Sequence, residues 1–142
     1  MNPKLEKQMA KMVDAVQPYC DEHIIAAMTC SHAGSMSAAL VSKLMYGASV
    51  PTGYSDLPNP VFIAVGESTI YAFDYKPRGF KFKIKKEVAR WSRNEVRLTS
   101  EETSMMITFI LTTSPDKSYP LEVPIAMGGR ELVHRFLEAI GH

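Results

Sequence analysis

The fold is decided by the stretch Gly128-Gly129-Arg130-Glu131-Leu132-Val133-His134-Arg135-Phe136-Leu137-Glu138-Ala139-Ile140. Its apolar residues recur at the spacing that places them on one stripe of an α-helix, namely Leu132, Val133, Phe136, Leu137 and Ile140. From about Asp21 to Ala126, in contrast, nearly every segment has the pattern of a β-strand. A set of antiparallel strands followed by one amphipathic helix needs that helix to cover an open end of the sheet. The sequence therefore predicts a mainly β fold with helices.

Seven segments have the alternating or continuous apolar pattern of β-strands, and turn residues separate them. The predicted strands cover residues 23–30, 61–65, 69–75, 80–85, 88–99, 105–113 and 119–125. Trp91 is predicted to be at least partly buried, and Asn94-Glu95 to form a bulge or a turn. Pro120 and Pro124 have the same parity, so their missing N–H groups face one side. That arrangement predicts an edge strand for the last segment.

Two further helices are predicted. The first is an amphipathic helix within residues 1–20, ended by Pro18, whose apolar positions include Leu5, Met9, Met12 and Val16. We expect it to pack on the domain of residues 21–142 or on a second copy of it. A membrane-surface helix is the alternative, because lysines and methionines also suit that role. The second helix, capped by Ser35, interrupts strands one and two over residues 35–46 and includes Met36, Leu40 and Leu44.

Length and composition indicate one globular domain without a strong charge. The chain has 142 residues, 46% of them hydrophobic, and 16 basic residues against 15 acidic ones. This balance exerts no overall attraction toward nucleic acid, and no apolar run approaches the ~20 residues that span a membrane. The N-terminal residues lack the apolar core of a signal peptide, which predicts a cytoplasmic location. Cys20 and Cys30 suit a reducing compartment, and a disulfide between them is not expected there.

The order of these segments resembles the pleckstrin-homology superfold, and bacterial pleckstrin-homology-like (PH-like) domains in particular. Val61–Val65 and Thr69–Phe73 resemble the second and third strands of that family. Phe82–Trp91 resembles its junction between the fourth and fifth strands, and the helix through Phe136 resembles its C-terminal helix. The resemblance implies a seven-stranded antiparallel barrel or sandwich capped by that helix. It also implies binding of proteins, peptides or lipids, and fold alone does not choose among these. The predicted helices at Leu5–Val16 and at 35–46 depart from the family pattern.

Basic residues are concentrated around the predicted turn between strands three and four. Lys76 and Arg78 lie in or before that turn, and Lys81, Lys83 and Lys85 share the solvent side of the next strand. In the resembled family, the end of the barrel that holds this turn also holds the turn at Ser114–Lys117, which adds Lys117. Clustered lysines are attracted to anionic lipid. The alternative is that they are a solvated face that discourages edge pairing.

No stretch of the sequence predicts catalysis or metal binding. Cys30 and His32 are close in sequence, but a nucleophile also needs a base within hydrogen-bond reach and an orienting group. The spacings of Cys20, His23, Cys30 and His32 match no standard zinc site. We therefore expect no catalytic residue, no metal and no cofactor. Tyr75, Phe80 and Phe82 stand among basic residues, yet the phenylalanines are needed inside, so nucleic-acid binding is not expected.

Three hypotheses follow from the sequence. The first is a non-enzymatic PH-like module that binds a protein partner or its own copies through one helix or through the Pro120–Pro124 edge. Its candidate interface residues are Leu5, Met9, Met12, Val16, Met36, Leu40 and Leu44. The second is peripheral association with anionic lipid, at the inner membrane surface, through Lys76, Arg78, Lys81, Lys83, Lys85 and Lys117. The third is a small-ligand site or an enzyme at the barrel mouth near Cys30 and His32.

Overall fold

A computed structural model describes residues 3–32, 57–58, 60–78, 81–114, 117–124 and 129–141. Helix α1 (Pro3–Val16) is followed by a 3₁₀ turn at Gln17–Tyr19. Seven strands follow: β1 (Ile24–His32), β2 (Val61–Gly66), β3 (Thr69–Arg78), β4 (Lys81–Ser92), β5 (Arg97–Glu102), β6 (Met106–Ser114) and β7 (Lys117–Pro124). Helix α2 (Gly129–Gly141) comes last. The predicted helix at 35–46, with Met36, Leu40 and Leu44, lies outside the described residues.

The seven strands form one antiparallel sheet in the order β4-β3-β2-β1-β7-β6-β5. Strand β1 joins the two halves of this sheet, because it pairs with β2 from Ile24 to Cys30 and with β7 at Ser31 and His32. The predicted mainly β fold with seven antiparallel strands is therefore confirmed. The sheet remains open, with β4 at one edge and β5 at the other.

Helix α2 packs through the apolar stripe that the sequence predicts. Leu132, Val133, Phe136 and Ile140 are almost completely buried, and Leu137 is buried as well. The ring of Phe136 meets Phe109 of β6 in an edge-to-face contact with a centroid distance of 6.1 Å. This contact joins the helix to β6, and the helix also packs against β1 and β5.

Helix α1 packs on its own chain. Met9, Met12 and Val16 are buried in the same core as the strands, and Leu5 packs against that core. The backbone N–H of Ala27 in β1 lies 3.4 Å from the sulfur of Met9, which accepts a weak hydrogen bond. The stripe predicted as an interface thus covers the domain itself.

The boundaries of the middle strands differ from those the sequence predicts. The predicted break at residues 86–87 is wrong, because β4 continues through it. Lys85 and Lys86 interrupt the apolar alternation, and a bulge in β4 takes up the interruption. The predicted strand 88–99 is instead divided by a 3₁₀ turn at Arg93–Glu95, where a bulge or turn was expected. Trp91 is half-buried, as predicted, and its ring lies 5.4 Å from that of Tyr119.

Strand β7 is not the edge strand that its prolines predict. It lies between β1 and β6, and most of its side chains are buried on both faces. Both prolines lie in the ladder with β6, opposite Ile110 and Met106, and neither lies in the short β1–β7 ladder, which pairs only Glu122 and Leu121.

The turn between β2 and β3 is held by a carboxylate from the segment before β1. Glu22 Oε1 accepts hydrogen bonds from the backbone N–H groups of Ser68 (2.9 Å) and Thr69 (2.8 Å), and Oε2 accepts from the Ser68 hydroxyl (2.7 Å). Gly66 leaves room for this carboxylate, since a Cβ there would overlap the end of the Glu22 side chain. A side chain at position 66 would therefore displace the carboxylate from the turn.

Candidate functional site

The two edges of the open sheet are the surfaces where the backbone itself can bind a partner. An edge strand leaves one row of N–H and C=O groups without a neighbouring strand, which makes it a template for pairing with another chain. Strands β4 and β5 occupy these positions. Their local geometry decides whether each edge is available.

The β4 edge is interrupted by two bulges. The pair Ala72–Ala89 is followed by Phe73–Glu87, so Val88 has no opposite residue. Similarly, Lys85 has no opposite residue, because the register of β4 against β3 shifts on either side of it. Bulges twist an edge away from a regular ladder, and exposed lysines discourage a second strand from pairing. Strand β4 is thus a protected edge.

The predicted basic residues lie at the end of the β3–β4 hairpin. Lys76 stands directly opposite Lys83, and Arg78 stands directly opposite Lys81. Lys76, Lys83 and Lys85 are exposed, and within the described parts of the chain none of them forms an ion pair. Like charges directly opposite each other on neighbouring strands destabilise the pair. The hairpin end therefore holds a local concentration of positive charge. We define the basic hairpin end as residues 76–78 and 81–86.

Lys117 is separated from the middle of that group. It begins β7 and lines a cavity of about 420 Å³ together with Val88, Ala89, Trp91 and Tyr119. This cavity lies against the second half of β4, whereas the paired lysines lie in its first half. The structure consequently brings Lys76, Arg78, Lys81 and Lys83 together along one hairpin, and it places Lys117 beside the aromatic pair Trp91–Tyr119.

The β5 edge is regular. All six residues pair with β6 in one unbroken register, from Arg97 opposite Thr112 to Glu102 opposite Ile107. The side chains of Arg97, Thr99 and Ser100 are exposed. Among the described residues, strand β5 thus presents an outer row of backbone groups without the bulges that interrupt β4.

Helix α2 runs beside β5 and is fixed to it at both ends. At the beginning of the helix, Arg130 forms an ion pair with Glu102, and His134 Nε2 lies 2.6 Å from Glu102 Oε1. At its end, a Cβ on Gly141 would lie 3.9 Å from a methyl carbon of Leu98. The hydrogen bond with His134 is the main cause that lowers the pKa of Glu102, and the charge of Arg130 adds to it. These contacts place the even-numbered residues of β5 toward the helix.

A groove lies between the first half of β5 and the end of α2. Its walls are residues 94–99 and Gly141, and it encloses about 920 Å³. Arg93 fixes this region, because its Nε donates to the carbonyl of Ala139 (2.8 Å) and its backbone N–H donates to Ser68 (2.9 Å). Sequence reasoning missed this role of Arg93, since its partners, the carbonyl groups of Ala139, Ser68 and Glu67, are remote along the chain and form no motif.

A polar cluster surrounds Tyr71 at the opposite half of the molecule. Its hydroxyl donates to Asp21, and Arg90 lies over its ring at 5.1 Å from the centroid. Arg90 also pairs with Glu87 through two hydrogen bonds of 2.8 Å and with Asp21 at 3.3 Å. Burial, with the hydrogen bond to Asp21, raises the pKa of Tyr71. The cluster joins β3, β4 and the segment before β1, which is a structural role.

The two cysteines are poor nucleophiles. Both are free thiols. Burial, assisted by the charges of Glu87 and Asp21, raises the pKa of Cys20 to about 11, and burial raises that of the fully buried Cys30. The reactive form of cysteine is the thiolate, and a raised pKa leaves little thiolate at neutral pH. His32 lies two residues beyond Cys30 on β1 and pairs across to Leu121. This region lacks the exposed thiol that nucleophilic catalysis needs.

Neither a metal cluster nor a membrane-spanning helix is found in the described ranges. No three histidine, cysteine, aspartate or glutamate side chains among residues 3–32, 57–58, 60–78, 81–114, 117–124 and 129–141 could hold a metal together. Neither α1 nor α2 combines the length and apolar character needed to cross a bilayer. Comparison of the chain with protein-family models, curated proteins and solved structures found no match.

Proposed function

We propose that the protein is a PH-like domain that binds other polypeptides through the free edge of β5 and catalyses no reaction. The observation that carries this proposal is the unbroken, exposed edge strand beside the end of α2. Seven antiparallel strands followed by one terminal helix are what the family resemblance implies. The raised pKa of the Cys20 and Cys30 thiols supports a binding role over nucleophilic catalysis.

Binding would proceed by addition of a strand. An extended segment of the partner pairs its backbone with β5, and alternate side chains of that segment face the groove beside α2. Backbone pairing supplies affinity without demanding a particular sequence, while the groove selects side chains. Leu98 offers an apolar contact in this groove, and the carbonyl end of α2 offers partial negative charge. The preferred segment is therefore extended, with an apolar or basic side chain facing the groove.

A peptide selection tests this proposal. Peptides of random sequence are displayed on phage and selected on the full chain, and a selected peptide is then titrated into ¹⁵N-labelled protein. We expect backbone amide shifts to concentrate at residues 97–102 and to leave residues 83–92 unchanged. Shifts concentrated on another surface, or a selection that yields no binding peptide, would contradict the proposal.

Proline substitutions at consecutive positions supply a matched pair of variants. In an antiparallel edge strand the backbone N–H groups alternate between the neighbouring strand and solvent. Thr99→Pro and Ser100→Pro therefore differ, because one removes a bond to β6 and the other removes only an outward donor. We expect one variant to lose stability and the other to remain folded but lose peptide binding. Equal peptide binding by a folded proline variant would count against edge pairing.

Association with anionic lipid is the second candidate function, and the paired like charges favour it. The pair Lys76–Lys83 places repelling charges directly opposite each other, which an anionic surface would relieve. The full chain is mixed with phosphatidylserine vesicles and pelleted at low and physiological salt. We expect pelleting at low salt that weakens as salt rises. A chain that stays in the supernatant at low salt would rule this candidate out.

Charge reversal at matched positions identifies the surface involved. Lys83→Glu with Lys85→Glu reverses two charges of the basic hairpin end, and both side chains are exposed. Lys7→Glu with Arg135→Glu reverses the same number of charges on the two helices. Only the first pair should abolish pelleting. Equal loss in both pairs would show that net charge, and not the hairpin, is responsible.

A further inference from the structure

Residues of α1, of α2 and of the start of β1 line a groove of about 440 Å³. Volumes of this size are typical of pockets that hold small molecules. The apolar part of the lining consists of Met9, Ala10, Val13, Ile24 and Ile25. A ligand in this groove would therefore contact both helices and the first strand at once, over a largely apolar surface.

Ile25 is an apolar side chain of this lining that solvent contacts, since it is 37% exposed. Strand β1 pairs Ile24 with Gly66 and Ala26 with Val65, and these two partners are consecutive residues of β2. Ile25 is therefore the extra residue of a bulge. Bulges redirect side chains and are frequent beside functional sites. The bulge thus places an exposed isoleucine where a ligand in the groove would cover it.

Charged side chains of both signs also line this groove. Glu6 and Asp14 are eight residues apart on α1, which separates them by ~12 Å along the helix axis. Arg135 belongs to α2, on the other wall, and all three side chains are exposed. Within the described parts of the chain, none of the three forms an ion pair or a side-chain hydrogen bond. The guanidinium and the two carboxylates therefore line one groove without pairing with each other.

We infer that this groove binds a small zwitterion with an apolar body, either an apolar amino acid or a short apolar peptide with free ends. The ammonium group faces Glu6 or Asp14, the carboxylate pairs with Arg135, and an apolar side chain covers Ile25. A ligand with both charges can pair with both walls at once, and a guanidinium binds a carboxylate through two parallel hydrogen bonds. The groove is separate from the β5 edge, so the inference does not depend on the proposed function.

Three dipeptides that differ only at their ends test the role of each charge. Leucyl-leucine is titrated into the ¹⁵N-labelled full chain and compared with acetyl-leucyl-leucine, which lacks the ammonium group, and with leucyl-leucinamide, which lacks the carboxylate. We expect backbone amide shifts at residues 6–14, 23–25 and 135. Each blocked dipeptide should bind about tenfold more weakly, because it loses a hydrogen bond between charged groups. A parallel titration with leucine shows whether a single amino acid or a peptide binds more tightly.

Variants of the groove identify which wall recognises which end. Arg135→Gln should weaken the binding of leucyl-leucine and abolish the preference over leucyl-leucinamide, because the guanidinium is then absent. Glu6→Gln combined with Asp14→Asn should instead abolish the preference over acetyl-leucyl-leucine. Lys7→Gln and Glu138→Gln change exposed charges of the same two helices outside the groove lining, and both should bind leucyl-leucine like the parent chain. The amide spectrum of each free variant checks that it is folded.

The inference is wrong if neither leucine nor leucyl-leucine shifts the groove residues at millimolar concentration. It is also wrong if the parent chain binds all three dipeptides equally well, or if Arg135→Gln keeps the preference for a free carboxylate. Shifts confined to residues 97–102 would overturn the groove and would support peptide binding at β5. Shifts confined to the groove, with no selected peptide bound at β5, would support this inference and contradict the proposed function.

Discussion

The β4 and β5 edges of the sheet differ in regularity and in charge. Strand β4 has two bulges against β3 and a run of lysines, whereas β5 has no register shift against β6 and carries both signs of charge. Bulges and lysines are the devices that prevent edge-to-edge pairing. Both features occur at the β4 edge, which is therefore protected from pairing, whereas the β5 edge is regular. An open sheet that keeps one regular edge has a surface suited to docking.

Loss of the packing between α2 and the sheet should lower the free energy of unfolding more than any other change proposed here. Phe136 is fully buried and packs against Phe109, so Phe136→Ala should lower the free energy of unfolding by about 3–5 kcal/mol. Denaturation by urea measures the loss. Ile140→Val, in the same stripe, is the control and should lose only about 0.5–1.5 kcal/mol. A loss below that of the control would show that α2 does not anchor this half.

The carboxylate of Glu22 should be energetically coupled to Gly66. In Gly66→Ala the new methyl group displaces the carboxylate from the turn, so the backbone N–H groups of Ser68 and Thr69 lose their acceptor. We expect a loss of about 1–3 kcal/mol. In a Glu22→Ala background the same glycine substitution should have far less effect, because nothing remains to displace. Additive losses in the double-mutant cycle would contradict this account of the glycine.

Charge reversal on the β4 edge should change stability more at a lysine that faces another lysine than at a lysine without an opposite residue. Lys83 faces Lys76 across the hairpin, so Lys83→Glu converts a repulsive pair into an attractive one and should stabilise the fold by about 0.2–1 kcal/mol. Lys85 lies in a bulge without an opposite residue, so Lys85→Glu should leave stability nearly unchanged. Thermal unfolding at low salt compares the two variants. Equal shifts of the melting temperature would show that the strand register does not determine how these charges affect stability.

Removal of the ion pair between Glu102 of β5 and α2 should have the smallest effect on stability, and this effect should depend on pH. Folding lowers the pKa of Glu102 from its ordinary value of 4.5, chiefly through the hydrogen bond with His134. A carboxyl with a lowered folded pKa stabilises the fold above its unfolded pKa, and this contribution disappears as pH falls through the folded value. The melting-temperature difference between the parent chain and Glu102→Gln should therefore shrink as pH falls below about 4.5.

Glu95→Gln, in the turn before β5, controls for the loss of one negative charge. Since Glu102 is exposed, salt should also reduce the effect of Glu102→Gln. A melting-temperature difference between the parent chain and Glu102→Gln that grows as pH falls would contradict the stabilising role of this ion pair.

Periodic patterns in the sequence were sufficient to predict the packing elements. The stripe through Phe136 predicted α2, and the stripe through Met9 predicted α1, because burial of one helix face leaves a period near 3.6. The number of strands was also predicted. Their ends in the middle of the chain were not, because the bulges at Lys85 and Val88 shift the alternation without ending the strand.

The candidate site was less predictable because it depends on strand order. The prolines of β7 indicated an edge, but the structure places β7 inside the sheet and leaves β5 outside. Nothing in Arg97–Glu102 distinguishes an outer strand from an inner one, since either can carry polar side chains. The ion pair of Glu102 with Arg130 and the anchoring of α2 by Arg93 also join residues remote in the chain. Such contacts require the topology.

Residue-resolved amide hydrogen exchange of the full chain, measured without and with a selected peptide, tests the central claim most directly. Pairing at β5 would protect its outward amides, so exchange at residues 97–102 should slow when the peptide is added, while exchange at residues 83–92 stays constant. Slower exchange at residues 83–92 instead, or equal slowing at both edges, would contradict the assignment of β5 as the docking edge.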